Sequence, residues 1–327
     1  MSSRRNFKNP LTLKVTAPPR ERAREPTFVR QARYPSLLIA LAVPFLLGGC
    51  SGALLSPVGP VGNAERTILL NSVAIMLAIV VPTMLATLAF AWWFRATNKR
   101  ARYLPTWEYS GRIELIVWSI PALVVFFLGG IAWLGSHDLD PARPLSSSAK
   151  PLEVDVVSLD WKWLFIYPEQ GVASVNRLVA PVGVPLHLRI TSATVLNVFF
   201  VPRLGTEIYA MNGMATQLNL QADEPGVYPG LAAHFSGDGF SDMNFEMQAV
   251  SPAEFAAWTA STSATGPELD DTSYRTLLKQ TENVKPYTYR AVQAGLFDAI
   301  LVQKLPPGDG PQTGRPNASV SPATTEN

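Results

Sequence analysis

The chain has 327 residues, of which 47% are apolar and 16% charged, with a formal net charge of +2 and one cysteine. The charged share falls below the ~25% of an average soluble domain. A near-neutral balance offers no global basic field for nucleic acid, and one cysteine leaves no pair of thiols for a disulfide or a metal.

Residues 1–35 carry nine Lys or Arg against two acids, with several prolines and no apolar periodicity. This stretch reads as disordered or as a long n-region. SLLIALAVPFLLGGC follows, an apolar run too short for the ~30 Å hydrocarbon core and suited to a signal-peptide h-region. LGGC resembles a bacterial lipobox. It implies a basic extension and lipoprotein signal peptide over residues 1–49, acylation of Cys50, and a lipidated periplasmic linker over 50–66. The competing reading is an unprocessed short helix with a free thiol.

Residues 67–94, TILLNSVAIMLAIVVPTMLATLAFAWWF, are almost unbroken apolar sequence of spanning length. A second such run predicts another membrane helix over 113–136. Each contains a proline (Pro82, Pro121), which membrane helices tolerate. The connection, 95–112, holds Arg95, Lys99, Arg100, Arg102 and Arg112 against Glu108. The positive-inside rule makes it cytoplasmic and puts the N-terminus and everything after residue 136 outside. Glu114 stands at the start of the second run. An ionisable group at membrane depth is a functional candidate, but an anion in the first turn of a helix capped by Ser110 also satisfies the macrodipole. Both readings stand.

From residue 151 the pattern becomes that of strands. VDVVSLDWKWLFIYP, LHLRITS, NVFFVP, TQLNLQAD and MNFEMQAVS are short, β-branched or aromatic, and separated by turn signals. Over 151–250 they predict an antiparallel sandwich or barrel. MNFEMQA alternates, with Met243, Phe245, Met247 and Ala249 on one face. Helical signals occupy 251–305: SPAEFAAWT with its cap and first-turn residues, SYRTLLKQT, and AVQAGLFDAILVQK with apolar positions 292, 296, 297, 300 and 301 on one face. Residues 306–327 are a Pro/Gly/Ser/Thr tail without expected order.

Chemistry is sparse. His137, His187 and His234 are scattered without metal-ligand spacing. Asp238 with Asp242, and Asp270 with Asp271, have no accompanying nucleophile motif and read as solvated turn acids. Trp161 and Trp163 fall two apart, as on one face of a strand, which reads as core.

DWKWLFIYPEQG (160–171), FFVPRLGTEIYAMNGM (199–214), ADEPGVYPG (222–230) and SGDGFSDMNFEM (236–247) closely resemble subunit II of the haem-copper respiratory oxidases, in particular the bo-type, ubiquinol-oxidising branch. The resemblance covers roughly residues 46–305. It implies a two-helix hairpin followed by a cupredoxin-like β-barrel and a helical C-terminal arm. In the cytochrome c branch this barrel holds a binuclear copper centre. Its first histidine falls on Asn197, its bridging cysteines on Ser236 and Phe240, its carbonyl-ligating glutamate on Asp238, its second histidine on Asn244 and its methionine on Met247. Only the methionine persists, and thiolate-bridged copper needs thiolates.

The resemblance therefore implies a copper-free, non-catalytic subunit II of a proton-pumping ubiquinol oxidase. Haems and copper would lie in subunit I, no cofactor or metal in this chain, and ubiquinol would be the complex's substrate. Expected partners are subunits I, III and IV and membrane lipids, with neither cytochrome c nor nucleic acid. The expected site is a two-pass bacterial inner membrane location with a lipid-anchored N-terminus. Glu114 in GRIELIVW matches a glutamate at the mouth of a proton-uptake channel, and Trp161 with Trp163 matches the aromatic run that receives electrons from cytochrome c, here expected as packing. The alternatives are a cytochrome c oxidase subunit II with an atypical copper site and an envelope lipoprotein that binds a ligand or partner.

Overall fold

The computed structural model describes residues 53–310 apart from Tyr103 and Asp309. Cys50, the basic extension and most of the C-terminal tail lie outside the described residues. Two long helices come first, α1 (Pro60–Trp93) and α2 (Gly111–Asp138). Both have the length and hydropathy of a membrane span, and no residue of either apolar window is buried in the chain. Their apolar surface faces outward all round, as bilayer rather than water requires. Helix α1 starts at Pro60 rather than at residue 67, because Pro60 is favoured at a first helical position and GNAER continues the turn. The segment expected as linker is thus partly helical. Ser110 is at the N-cap of α2 but its hydroxyl makes no capping bond; Glu114 N–H donates to the Ser110 carbonyl instead (3.0 Å).

Among the described residues the external domain has thirteen strands. β1 (Leu152–Leu159), β2 (Lys162–Tyr167), β3 (Val172–Val175), β5 (Leu186–Ser192), β8 (Thr216–Leu220) and β12 (Tyr287–Tyr289) form one sheet in the order β12-β3-β2-β1-β5-β8. β4 (Arg177–Pro181), β6 (Asn197–Phe200), β7 (Ile208–Ala210), β9 (Gly226–Ala232) and β10 (Asn244–Val250) form the other, ordered β4-β10-β9-β6-β7. β11 (Glu268–Leu269) pairs with β13 (Ala291–Val292). The expected barrel is present, and its pairing is antiparallel except at two places. β1 runs parallel to β5 and β4 parallel to β10, because the chain crosses between sheets after β3 and returns at β5.

The run written as one strand, VDVVSLDWKWLFIYP, is two, folded at Asp160 and Trp161 so that Leu159 faces Lys162. Strand β2 is buried at every position. Trp163, Phe165 and Tyr167 enter the core between the sheets, while Leu164 and Ile166 enter a second core beneath the C-terminal arm. A strand covered on both faces reads as a continuous apolar run, as this one does.

The arm provides the second cover. α3 (Pro252–Ala264) begins with a complete capping box between Ser251 and Glu254 and lays Phe255 and Trp258 on Tyr167 (centroids 6.2 and 5.1 Å). α4 (Asp271–Leu277) and α5 (Leu296–Leu301) bring Tyr274, Leu277, Leu296, Phe297 and Ile300 onto the sheet. The helix expected over 291–304 is therefore only six residues long. Ala291 and Val292 are used as a strand, and Gly295, with φ +73°, separates the two elements.

Polar fasteners hold the arm. Arg189 donates twice to Asp155 (2.7 and 3.0 Å), pairs with Asp298 at 3.5 Å and covers the Phe297 ring. Burial raises the Asp155 carboxyl above the ordinary range, and the Arg189 bonds only partly offset it. Lys162 is buried; its ammonium donates to the Lys279 carbonyl and the Thr281 hydroxyl, both at 2.6 Å.

The helical hairpin is bolted to the barrel at both of its near ends. Val58 N–H donates to Arg203 O (2.8 Å), Gly62 N–H to Leu204 O (3.0 Å), and Asp223 N–H to Val58 O (2.8 Å). On the other side Asn219 donates its backbone and side-chain N–H groups to Pro141 O at 2.9 and 3.0 Å.

Candidate functional site

The loop between β9 and β10 closes one end of the barrel. Gly237 has φ +110°, a conformation that favours glycine, and Asp238–Asp242 form a 3-10 turn. A Cβ on Gly239 would stand 2.4 Å from the Trp161 indole, so only glycine lets the loop lie flat on that ring. Trp161 donates its Nε1–H to Ser236 O (3.2 Å) and is completely buried. It occupies the turn before β2 with φ +62°, not a strand, which corrects the expectation, yet its ring shares the core with Trp163. A bulky side chain at positive φ is uncommon and persists here because the core and the loop pin it from both sides.

The six singled-out positions divide into two environments. Asn197 at the start of β6 is buried; its amide donates to Met243 Sδ (3.1 Å) and its Oδ1 accepts from Val198 N–H (2.8 Å). Ser236 is buried, and its Oγ has no hydrogen-bond partner among the described residues. Met247 is fully buried in the core that holds Trp163, Phe199 and Phe245. Asp238 and Asn244 face solvent, Asn244 donating to Ser241 O (3.1 Å), and Phe240 stacks edge-on with Phe235 (5.5 Å). Alternation along β10 is as expected: Phe245, Met247 and Ala249 point in and Asn244 and Glu246 out.

An amide, a hydroxyl, a phenyl ring and a packed thioether do not fit a thiolate-bridged copper pair. Among the described residues no group of three or more His, Cys, Asp or Glu side chains is placed to hold a metal. The histidines remain apart in role. His137 Nδ1 lies 2.8 Å from Trp133 O, His187 Nδ1 lies 3.0 Å from Asn219 Oδ1, and His234 is exposed. Asp270 is the N-cap of α4, accepting from Ser273 N–H (2.8 Å), and that bond holds its carboxyl below the ordinary range. Glu114 is exposed in the first turn of α2.

Sequence reasoning missed the seam between hairpin and barrel, although PVGPVG, with glycines at the N-cap and in the first turn of α1, was its signal. It also missed Lys162, for which no local signal exists, since the residues it contacts are more than a hundred positions away.

Residues 153–250 match the family model of the cytochrome c oxidase subunit II periplasmic domain, and residues 264–307 the COX aromatic-rich motif. Cytochrome bo(3) ubiquinol oxidase subunit 2 of Pseudomonas aeruginosa is 46% identical over 83% of this chain and 82% of its own length. The chain belongs to the ubiquinol oxidase subunit 2 family. Ubiquinol oxidase subunit 2 of Acetobacter aceti is 48% identical over 84% of this chain and 88% of its own. Quinol oxidase subunit 2 of Bacillus cereus is 34% identical over 74% and 84%. For a ubiquinol oxidase subunit 2, the two outward-apolar helices and the cupredoxin-like domain fit an inner-membrane protein of the respiratory chain.

Proposed function

We propose that this chain is the copper-free subunit II of a proton-pumping ubiquinol oxidase, which couples quinol oxidation to reduction of O2 to water. The observation that carries the reading is the donor set at and beside the barrel-closing loop: Asn197, Ser236, Phe240 and Asn244 stand where the resemblance puts ligands of the copper-bearing branch, and none can replace a thiolate or an imidazole. Asp238 and Met247 complete the six lost ligand positions, Met247 now serving the core. The subunit is non-catalytic and holds no cofactor; haems and copper belong to subunit I, with subunits III and IV as further partners. Burial of Trp161 beneath Gly239 supports a packing role for that tryptophan.

The purified complex should oxidise ubiquinol and leave reduced cytochrome c untouched. Turnover with cytochrome c, or copper retained by this subunit, would overturn the reading. Cys50 is proposed as the periplasmic lipid anchor. Glu114, exposed where α2 starts, is proposed to line the proton-uptake entrance on the cytoplasmic side. Glu114→Ala should slow oxygen reduction with the complex still assembled; unchanged turnover from pH 6 to 9 would remove that role.

A further inference from the structure

The loop between α1 and α2 lies at the end of the hairpin away from the barrel, since Pro60 and Asp138 both mark the barrel side. It is folded: Asn98 Nδ2 donates to Trp93 O (2.6 Å), Asn98 N–H to Arg95 O (2.9 Å), and Arg100 N–H to Asn98 Oδ1 (3.1 Å). Arg95 is used up in this fold, donating to Trp92 O and lying 4.8 Å over the Trp92 ring. Lys99, Arg100, Arg102 and Arg112 are exposed, and among the described residues none has a carboxylate partner. In the external domain Arg143, Lys150, Arg177, Arg189 and Arg290 each meet an acid, and the cations without one, such as Arg203, Arg275 and Lys285, are spread along the chain, whereas Lys99, Arg100 and Arg102 fall within four residues. Glu108 and Glu114 are the nearby acids in sequence, and neither is paired with these cations.

Exposed Trp92, Trp93, Trp107 and Tyr109 flank the four cations at the two helix ends. Interfacial aromatics settle at headgroup depth, which puts the guanidinium and ammonium groups level with lipid phosphates. We propose that this loop is a binding site for anionic phospholipid headgroups of the cytoplasmic leaflet. The donor geometry suits phosphodiester oxygens, and each cation near an anionic surface contributes a factor of about five in affinity. Turn hydrogen bonds centred on Asn98 order the backbone from Trp93 to Ala101, the stretch that carries Lys99 and Arg100, before lipid arrives, which lowers the ordering cost of binding.

The inference rests on the two helices spanning a bilayer. The test is the full chain in phosphatidylcholine nanodiscs, alone and with its co-purifying subunits, doped with spin-labelled phosphatidylglycerol or spin-labelled phosphatidylcholine. A motionally restricted lipid signal of either kind verifies the membrane span, and its absence for both overturns that reading along with the proposal. The expected result is a preference for phosphatidylglycerol of about fivefold or more, reduced by 0.5 M salt and lost in the triple variant Lys99→Gln, Arg100→Gln, Arg102→Gln. Equal restriction of both lipids, or a preference that survives the triple substitution, overturns the proposal. A preference seen for the chain alone and abolished by the other subunits assigns the loop to a protein contact and likewise overturns it.

Discussion

Lys162 shows how one residue can be invisible in sequence and expensive in structure. It occupies the arm-facing side of β2, where its neighbours Leu164 and Ile166 are apolar, and burial pushes its ammonium down to about 8 while Asp160 pulls the other way. Below pH 8 the folded and unfolded chains both carry the charge, and its burial cost is fully present. Between pH 8 and the ordinary lysine range only the unfolded chain binds the extra proton, so stability rises with pH in that window, by up to about 1.4 kcal/mol per pH unit. Urea unfolding of wild type and Lys162→Met at pH 7.5 and 9.5 measures it. The wild type should gain stability relative to the variant across that interval, and a constant difference would mean that the ammonium keeps its ordinary pKa. At this scale the residue types were legible, neither thiol nor imidazole standing at Asn197, Ser236, Phe240 or Asn244. The burial of Asn197 and the exposure of Asn244 were not legible, because a strand-end residue's face depends on which sheet receives it.

Elements were read well where one periodicity persisted and poorly where two cores compete for one strand or where a helix meets a domain. The apolar lengths of α1 and α2 and the alternation of β10 survive in the structure because each faces one environment on each side. The segment 291–304 lost most of its expected helix because Ala291 and Val292 pair with β11 and Gly295 adopts a left-handed turn, so tertiary pairing overrode a local apolar period. The first turn of α1 is set by its seam with the barrel. A Cβ at Gly59 would come 2.0 Å from the Gln221 carbonyl oxygen, whereas Gly129 in α2 has nothing within 4 Å. Gly59→Ala should therefore cost about 1–3 kcal/mol through forced overpacking, read as a lowered unfolding midpoint and faster protease cleavage beside Ser56. Gly129→Ala in the isolated chain should be close to neutral, and equal effects of the two would refute the seam.

On the scale of the whole molecule, a helical hairpin holds a barrel by backbone hydrogen bonds at both of its ends, and the arm wraps the sheet that the barrel leaves uncovered. Membrane attachment then has two independent sources, the spanning helices and the proposed acyl chain on Cys50. An acyl anchor alone is reversible, while spanning helices are not. Cys50→Ser should abolish palmitate incorporation yet leave the chain in the membrane fraction after alkaline carbonate washing; release of the variant would show that the helices do not span. The sequence by itself determined the two apolar helices of spanning length and the strand-rich external domain, since these follow from run length and periodicity, both local quantities. Only the tertiary structure decided that Trp161 lies sealed under Gly239, that Lys162 is buried against the arm, and that Gly59 and Asn219 lock the hairpin to the barrel. Those depend on residues far apart in the chain meeting at van der Waals distance, which no periodicity or composition encodes.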